Sequence, residues 1–155
     1  MKRIIALLVV LLALTSCTQD IKFNNPSVQG LKDDVLWRAS DSYGSLNGTN
    51  ALTIVALNQF ETLTLKTTSV NPGTYILGTS DSKKATFNDT KDGGNVTYQT
   101  SIDVGDGEII ITEFDQEART VTGTFRFNAK NTVSTPQGND NMNFQEGVFY
   151  KVPIR

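Results

Sequence analysis

Hydrophobic residues are arranged in two different ways along the 155-residue chain. Near the N-terminus they form one uninterrupted run of eleven, Ile4 to Leu14, whereas from about Val28 onward short apolar stretches alternate with polar residues. A transmembrane helix needs about 20 consecutive apolar residues, so the N-terminal run is too short to cross a bilayer. The first pattern is typical of a targeting segment, and the second is typical of β-strands.

The N-terminal segment has the features of a secretory signal peptide. Lys2 and Arg3 give it a basic start, the apolar run follows, and two small residues come before Cys17. This order is typical of a cleaved export signal. We therefore predict a signal peptide over residues 1–16, with cleavage between Ser16 and Cys17.

Cys17 is the single cysteine of the chain, and its context predicts a lipid anchor. Residues 14–17, LTSC, resemble the lipobox of bacterial lipoproteins. That resemblance implies that a diacylglycerol is attached to the Cys17 sulfur and that cleavage exposes the Cys17 amine for acylation. The alternative is an ordinary signal peptide followed by an incidental cysteine. A lone thiol would be a reactive group in an exported domain, whereas two or three acyl chains give stable anchoring.

Cleavage would leave a mildly acidic protein tied to a membrane by its first residue. Removal of 16 of the 155 residues leaves 139, with 12 Lys and Arg against 16 Asp and Glu and a net charge of −4. We interpret residues 17–27 as the lipidated cysteine and a polar, flexible tether. In the best-known Gram-negative sorting rule, Asp after the cysteine retains a lipoprotein in the inner membrane, so Thr18 is compatible with the outer membrane. Asp20 alone is acidic nearby, which favours the periplasmic face over the cell surface.

Residues 28–155 are predicted to form an all-β domain. Thr, Val, Ile, Phe and Tyr are frequent, and clusters of Gly, Asn and Asp recur between short apolar stretches. We expect about eight or nine strands in an antiparallel β-sandwich or a barrel-like meander, with no helix. The predicted strands cover residues 35–39, 51–57, 61–66, 74–77, 85–87, 96–100, 107–114, 120–129 and 144–154. In the strand over residues 61–66 the alternation predicts that Leu63 and Leu65 point inward.

One hairpin can be predicted from the spacing of its strands. Residues 107–114 and 120–129 are separated by five residues, which is a common hairpin length, and Asp115 can accept a hydrogen bond in the turn. Gly123 lies on the apolar side of the second strand, where it predicts a bend or close packing. Residues 131–143, rich in Asn, Gly and Pro, are expected to form an exposed loop before the last strand.

Turn and core positions also carry a resemblance to a known family. The best-matching residues are 107–112, Asp115 and 121–127, and supporting matches occur at 72–75, 98–100 and 147–149. Over residues 28–155 the chain resembles a family of small Bacteroidota lipoproteins with an uncharacterised all-β domain. The resemblance implies an envelope location and a β architecture, and it assigns no functional residue.

Composition excludes several classes of function. The chain has no histidine, so no histidine-dependent nucleophile, zinc ligand or acid–base catalyst is present. A net charge of −2 argues against nucleic-acid binding. The glycine-rich turns precede predicted strands and not helices, so they do not form a phosphate-binding loop. We therefore predict neither cofactors nor catalytic residues.

Acidic clusters provide the remaining chemical candidates. The turn with Asp89 to Asp92 partly follows the ligand spacing of a calcium-binding loop, and Asp103 to Glu108 could gather oxygen atoms at a turn. Polar turns explain both clusters, and we predict no metal site. A glycosidase would need two carboxylates at a set separation across a cleft, which sequence cannot measure. The glutamates on or beside predicted strands are Glu61, Glu108, Glu113 and Glu146.

These observations favour a non-enzymatic binding or structural domain over an enzyme. The expected partners are the membrane, through the lipid on Cys17, and an envelope protein or glycan. The first alternative is a calycin-like carrier in which the strands enclose a small apolar ligand, and a carbohydrate-active enzyme is the second. Exposed aromatic rings bind sugars and peptides, and the candidates for such a face are Trp37, Tyr43, Tyr75, Tyr98 and Tyr150. Trp37, Phe125 and Phe127 alternate with polar residues, however, and are predicted to lie in the core.

Overall fold

The computed structural model describes residues 27–91, 94–133 and 138–155. The predicted signal peptide, Cys17 and the tether as far as residue 26 lie outside this part of the chain. The described residues contain no α-helix. Their eleven strands are β1 (Ser27–Lys32), β2 (Val35–Arg38), β3 (Asp41–Leu46), β4 (Leu52–Asn58), β5 (Glu61–Lys66), β6 (Gly73–Leu77), β7 (Lys84–Asp89), β8 (Val96–Gln99), β9 (Asp106–Asp115), β10 (Thr120–Asn131) and β11 (Asn141–Pro153).

The strands form one curled antiparallel sheet with the shape of a half-barrel. Nine of them follow one another in the order β2-β1-β11-β10-β8-β7-β5-β4-β3, and β9 and β6 branch from β10. A parallel bridge between Gly44 and Ile154 joins β3 to the residue after β11, and the Arg155 N–H donates to the Gly44 carbonyl at 2.9 Å. Of the two architectures expected from the sequence, the barrel-like meander is therefore the one observed.

The core lies on the concave side of the sheet. Alternating residues of each strand point into it, as predicted for Leu63 and Leu65 on β5, which are both buried. Ring centroids of neighbouring aromatic residues lie 5.2 to 6.5 Å apart, within the range for favourable ring packing. The six rings of this cluster belong to Trp37, Phe87, Phe125, Phe127, Phe144 and Phe149.

Two glycines make room for these rings. A Cβ atom on Gly123 would lie 2.0 Å from the Ile110 carbonyl oxygen and 2.4 Å from the Phe149 ring. A Cβ atom on Gly147 would lie 2.5 Å from the Phe125 carbonyl oxygen. Both glycines are next to shifts in the pairing register of β10. The sequence-based expectation of a bend or close packing at Gly123 is confirmed.

The predicted hairpin is also confirmed. β9 and β10 pair from Asp115 and Thr120 at the turn to Asp106 and Asn128. The Asp115 carboxylate accepts a hydrogen bond from the Ala118 N–H at 2.9 Å, which is the turn bond expected from the sequence.

The expected loop over residues 131–143 is shorter than predicted. β10 continues to Asn131 and β11 begins at Asn141, because these two long strands pair nearly to their ends. β1 and β3 were not predicted as separate strands. Both contain glycine and serine among few apolar residues, so their alternation is weak.

The sheet has two ends that differ in their connections. The β1–β2 turn and the β4–β5 turn lie at one end, where Lys32 contacts Glu61. The β9–β10 turn lies at the other end, because Thr120 pairs with Pro153 at the end of β11. Ser27 pairs with Tyr150, so the chain enters β1 near the β9–β10 turn.

Candidate functional site

An apolar band crosses the convex outer face of the sheet. Residues paired across neighbouring strands point to the same face of a sheet. The pairing register therefore shows which side chains point away from the core. We call the following five side chains the outer band: Leu31, Leu36, Ile76, Ile110 and Val148. They lie on strands from the edge strand β2 to the edge strand β6, and the exposed Thr124 of β10 lies between Val148 and Ile110.

The outer band is exposed at both borders. At the borders, Leu36 is 70% exposed and Ile76 is 46% exposed, and Val148 on β11 between them is 36% exposed. Within the described residues, β2 pairs with β1 alone and β6 pairs with β9 alone, so each border of the band is also an edge of the described sheet. Exposed apolar side chains next to free strand edges are unusual unless another surface covers them.

A groove of about 530 Å³ lies in the middle of this face, which we call the outer groove. Its apolar lining includes Ile110 and Val148, and its charged lining is Glu108, Arg126 and Glu146. Arg126 Nε donates to Glu108 Oε1 at 2.9 Å across the β9–β10 pair. Two of the four glutamates considered for a catalytic pair therefore line one groove, but the Glu108 carboxylate is held by a guanidinium.

The other two glutamates lie elsewhere. Glu113 is exposed on β9 opposite Thr122, and Glu61 begins β5 at the end of the sheet that holds the β1–β2 turn. Glu61 Oε2 accepts a hydrogen bond of 2.7 Å from Trp37 Nε1, and Glu61 Oε1 accepts one from Lys32 Nζ. The Lys32 ammonium also lies 4.9 Å from the centre of the Phe87 ring. Glu61 thus links two hairpins to the core and is a structural residue.

A second concavity, of about 450 Å³, lies at the end of the sheet with the β9–β10 turn, and we call it the end cup. Its floor is apolar and is made by Leu46, Val70, Phe114 and Ile154. Its rim is polar and is made by Asn50, Asn71, Gln116 and Arg119. Four different parts of the chain meet here, namely the β3–β4 and β5–β6 connections, the β9–β10 turn and the C-terminus.

Within the described residues, no group of three or more His, Cys, Asp or Glu side chains comes together in a way that could hold a metal ion. Asp106 accepts a hydrogen bond from Asn128 at 2.8 Å, and Glu108 is paired with Arg126. Asp89 accepts one from the Lys91 N–H at 2.9 Å. Asp92, the last residue of the first cluster, lies outside the described residues.

The Asp81 carboxylate is stabilised in its charged form by two neighbouring side chains. Ser101 Oγ donates to it at 2.7 Å and Lys84 Nζ lies 3.1 Å away. The hydrogen bond from Ser101 and then the Lys84 ammonium stabilise the charged form, so the pKa of the Asp81 carboxyl is below its ordinary value.

The candidate aromatic residues are mostly structural. Trp37 and Tyr98 are buried, with 4% and 8% of their surface exposed, as are Phe125 and Phe127. Tyr150 is half-buried and its ring lies 5.4 Å from Lys151 Nζ. The core positions of Trp37, Phe125 and Phe127 confirm the prediction from alternation.

Comparison with known proteins identifies the family. A family model described as a domain of unknown function, DUF6252, matches residues 24–153. The chain belongs to the DUF6252 family. No curated protein and no solved structure matches the chain. Within its described residues, no helix of this DUF6252 domain is long and apolar enough to span a membrane.

The outer band and the end cup of the DUF6252 domain were not found from sequence. Ile110 stands between Ile109 and Ile111, and such an unbroken apolar run is the sequence pattern of a strand with two apolar faces. Arg119 was interpreted only as part of a hairpin turn. Its neighbours in the end cup are separated by tens of residues along the chain, so no local pattern connects them.

Proposed function

We propose that this DUF6252 protein is a non-enzymatic binding domain of the bacterial cell envelope, anchored by a lipid on Cys17. The outer band is the observation that carries the binding role. Leu36, Ile76 and Val148 are exposed apolar side chains on one face of a folded domain, and exposed apolar surface favours a contact site for another macromolecule. The partner we expect is an envelope protein or a glycan.

The sequence before the domain supports the anchor. Six residues, 18–23, separate Cys17 from the start of the family match at residue 24. The chain enters β1 near the β9–β10 turn, so a lipid on Cys17 would bring that end of the sheet towards the membrane. The outer band, on the side of the sheet, would then stay accessible. We place the protein on the periplasmic face of the outer membrane in a bacterium related to the Bacteroidota.

The alternatives of the sequence analysis have less support. A carrier for an apolar ligand needs space on the concave side, and six aromatic rings occupy that side of the described sheet. A glycosidase that used Glu108 and Glu146 would need a proton donor and a nucleophile or base that both face the substrate, whereas the Glu108 carboxylate is already engaged by Arg126.

Mass spectrometry of the mature full-length protein tests the anchor. We expect a mass that corresponds to a diacylated or triacylated chain beginning at Cys17, found in the membrane fraction. The Cys17→Ser variant should lose both the lipid and the membrane location. A Cys17→Ser variant that keeps its lipid would overturn the proposed anchor.

Site-specific photo-crosslinking in cells tests the binding role. A photoreactive amino acid at Val148 or Ile76 is expected to give a discrete crosslinked product, whereas the same group at Glu117, exposed in the β9–β10 turn, should not. No product from either outer-band position, or equal products from all three, would contradict a binding role for the band. The wild-type protein should turn over glycan and ester substrates no faster than the Glu108→Gln variant does.

A further inference from the structure

We propose that the end cup binds a small amphipathic carboxylate, that is, a carboxylate group attached to a short apolar body. The proposal does not depend on the anchor or on the outer band. The end cup lies at one end of the sheet, and it shares no lining residue with the outer groove.

The charge of the end cup favours an anion. Arg119 is the single charged residue in its lining, and the Arg119 guanidinium forms no ion pair within the described part of the chain. The whole chain has a net charge of −2, so a concavity whose lining is positive differs from the protein around it. A guanidinium presents a planar set of N–H donors that matches the two oxygens of a carboxylate.

Side-chain amides add donors beside the guanidinium. The amide groups of Asn50, Asn71 and Gln116 line the same concavity and form no side-chain hydrogen bond with other described residues. Each can donate to an oxygen atom of a ligand and accept from a hydroxyl group. The rim can therefore surround a carboxylate with neutral donors and one cation, and its lining contains no Asp or Glu.

The floor supplies contacts for an apolar body. Val70 and Ile154 are buried, with 4% and 6% of their surface exposed, and Leu46 and Phe114 are half-buried against the core. A volume of about 450 Å³ is within the range of small-molecule sites, which extends from about 300 to 1,000 Å³. Size and lining together suit a short hydrocarbon chain or a single ring.

The elements that form the end cup are fixed before a ligand arrives. The Ile154 N–H donates to the Arg119 carbonyl at 2.8 Å, which ties the rim arginine to a floor residue. The Tyr75 hydroxyl donates to the Asn71 carbonyl at 2.7 Å, and the Asn47 side chain accepts from the Ala51 N–H at 2.9 Å across the β3–β4 connection. A pre-formed site loses less conformational entropy on binding.

Titration calorimetry with hexanoate, performed on the full chain in phosphatidylcholine nanodiscs, tests this proposal. We expect hexanoate to bind more tightly than hexanamide, which lacks the charge, and more tightly than acetate, which lacks the apolar body. The Arg119→Gln substitution should weaken hexanoate binding by at least about fivefold. Arg38→Gln is the matched control, because Arg38 is exposed on β2 and is not part of the end cup.

Each comparison can overturn the proposal. Equal binding of hexanoate and hexanamide would contradict the role of Arg119, and equal binding of hexanoate and acetate would contradict the role of the floor. An equal loss in the Arg119→Gln and Arg38→Gln variants would show only non-specific attraction to a cation. Because Arg119 is exposed, its replacement should leave the circular dichroism spectrum unchanged, which excludes unfolding as the cause of lost binding.

Discussion

Trp37 Nε1 donates a hydrogen bond of 2.7 Å to Glu61 Oε2 and so joins the β1–β2 hairpin to the β4–β5 hairpin. Lys32 donates to the other oxygen of the same carboxylate. Both partners of this ion pair are mostly buried, with side-chain exposures of 24% for Lys32 and 17% for Glu61. One carboxylate therefore satisfies two donors that come from a different part of the sheet.

We expect Glu61→Ala to destabilise the domain by about 1–3 kcal/mol, because it leaves the Trp37 N–H and the Lys32 ammonium without their partner. The free energy of unfolding from urea titration measures this change. The control is Glu117→Ala in the exposed β9–β10 turn, which should change stability by less than about 0.5 kcal/mol. Equal effects of the two substitutions would contradict a linking role for Glu61.

A single methyl group added at Gly123 is expected to destabilise the domain strongly. A Cβ atom there would lie 2.0 Å from the Ile110 carbonyl oxygen, and backbone atoms of a paired strand cannot move away cheaply. We expect Gly123→Ala to cost at least about 3 kcal/mol or to prevent folding. Thermal unfolding measures the effect, and Gly48→Ala is the control. A Cβ atom on Gly48 would have no neighbouring atom within 4 Å, so this substitution should be tolerated. A tolerated Gly123→Ala would show that β9 and β10 are further apart.

The strands that could be predicted are those whose own residues alternate strongly. β5 has the predicted bounds Glu61–Lys66, and its leucines point into the core because every second residue is apolar. β3, with the sequence DSYGSL, has two serines and a glycine, and it becomes a strand through pairing with β4. Its position follows from long-range contacts, which a single sequence does not display.

The candidate sites could be predicted only in part for the same reason. Alternation placed Trp37, Phe125 and Phe127 in the core, since burial of one strand face is a local property. The end cup instead combines Asn50 and Asn71 with Arg119, and they meet only when the curled sheet brings three connections together. The family match at residues 24–153 agrees with the resemblance found in the sequence at the level of an uncharacterised domain.

Replacement of Asp115 is expected to destabilise the domain moderately, because its side chain accepts a hydrogen bond in the β9–β10 turn. Its carboxylate accepts from the Ala118 N–H at 2.9 Å, and Arg119 follows with a φ of 51°. We expect Asp115→Ala to reduce the free energy of unfolding by about 0.5–1.5 kcal/mol, and Asp115→Asn, which keeps an acceptor oxygen, to reduce it less. Chemical denaturation of the two variants compares them directly. If Asp115→Asn is as unstable as Asp115→Ala, the charge matters more than the hydrogen bond.

The lowered pKa of Asp81 predicts a contribution to stability that is lost at acidic pH. The hydrogen bond from Ser101, followed by the Lys84 ammonium, lowers the pKa of the folded-state carboxyl below its ordinary value of 3.8. A lowered folded-state pKa contributes stability that is fully present above the unfolded-state pKa and is lost as the pH falls through the folded-state pKa. The urea midpoint of the wild type should therefore fall more between pH 6 and about pH 3 than that of Ser101→Ala, in which the main cause is removed. If the urea midpoints of the wild type and of Ser101→Ala fall by the same amount over this pH range, the Ser101 hydroxyl does not set the Asp81 pKa.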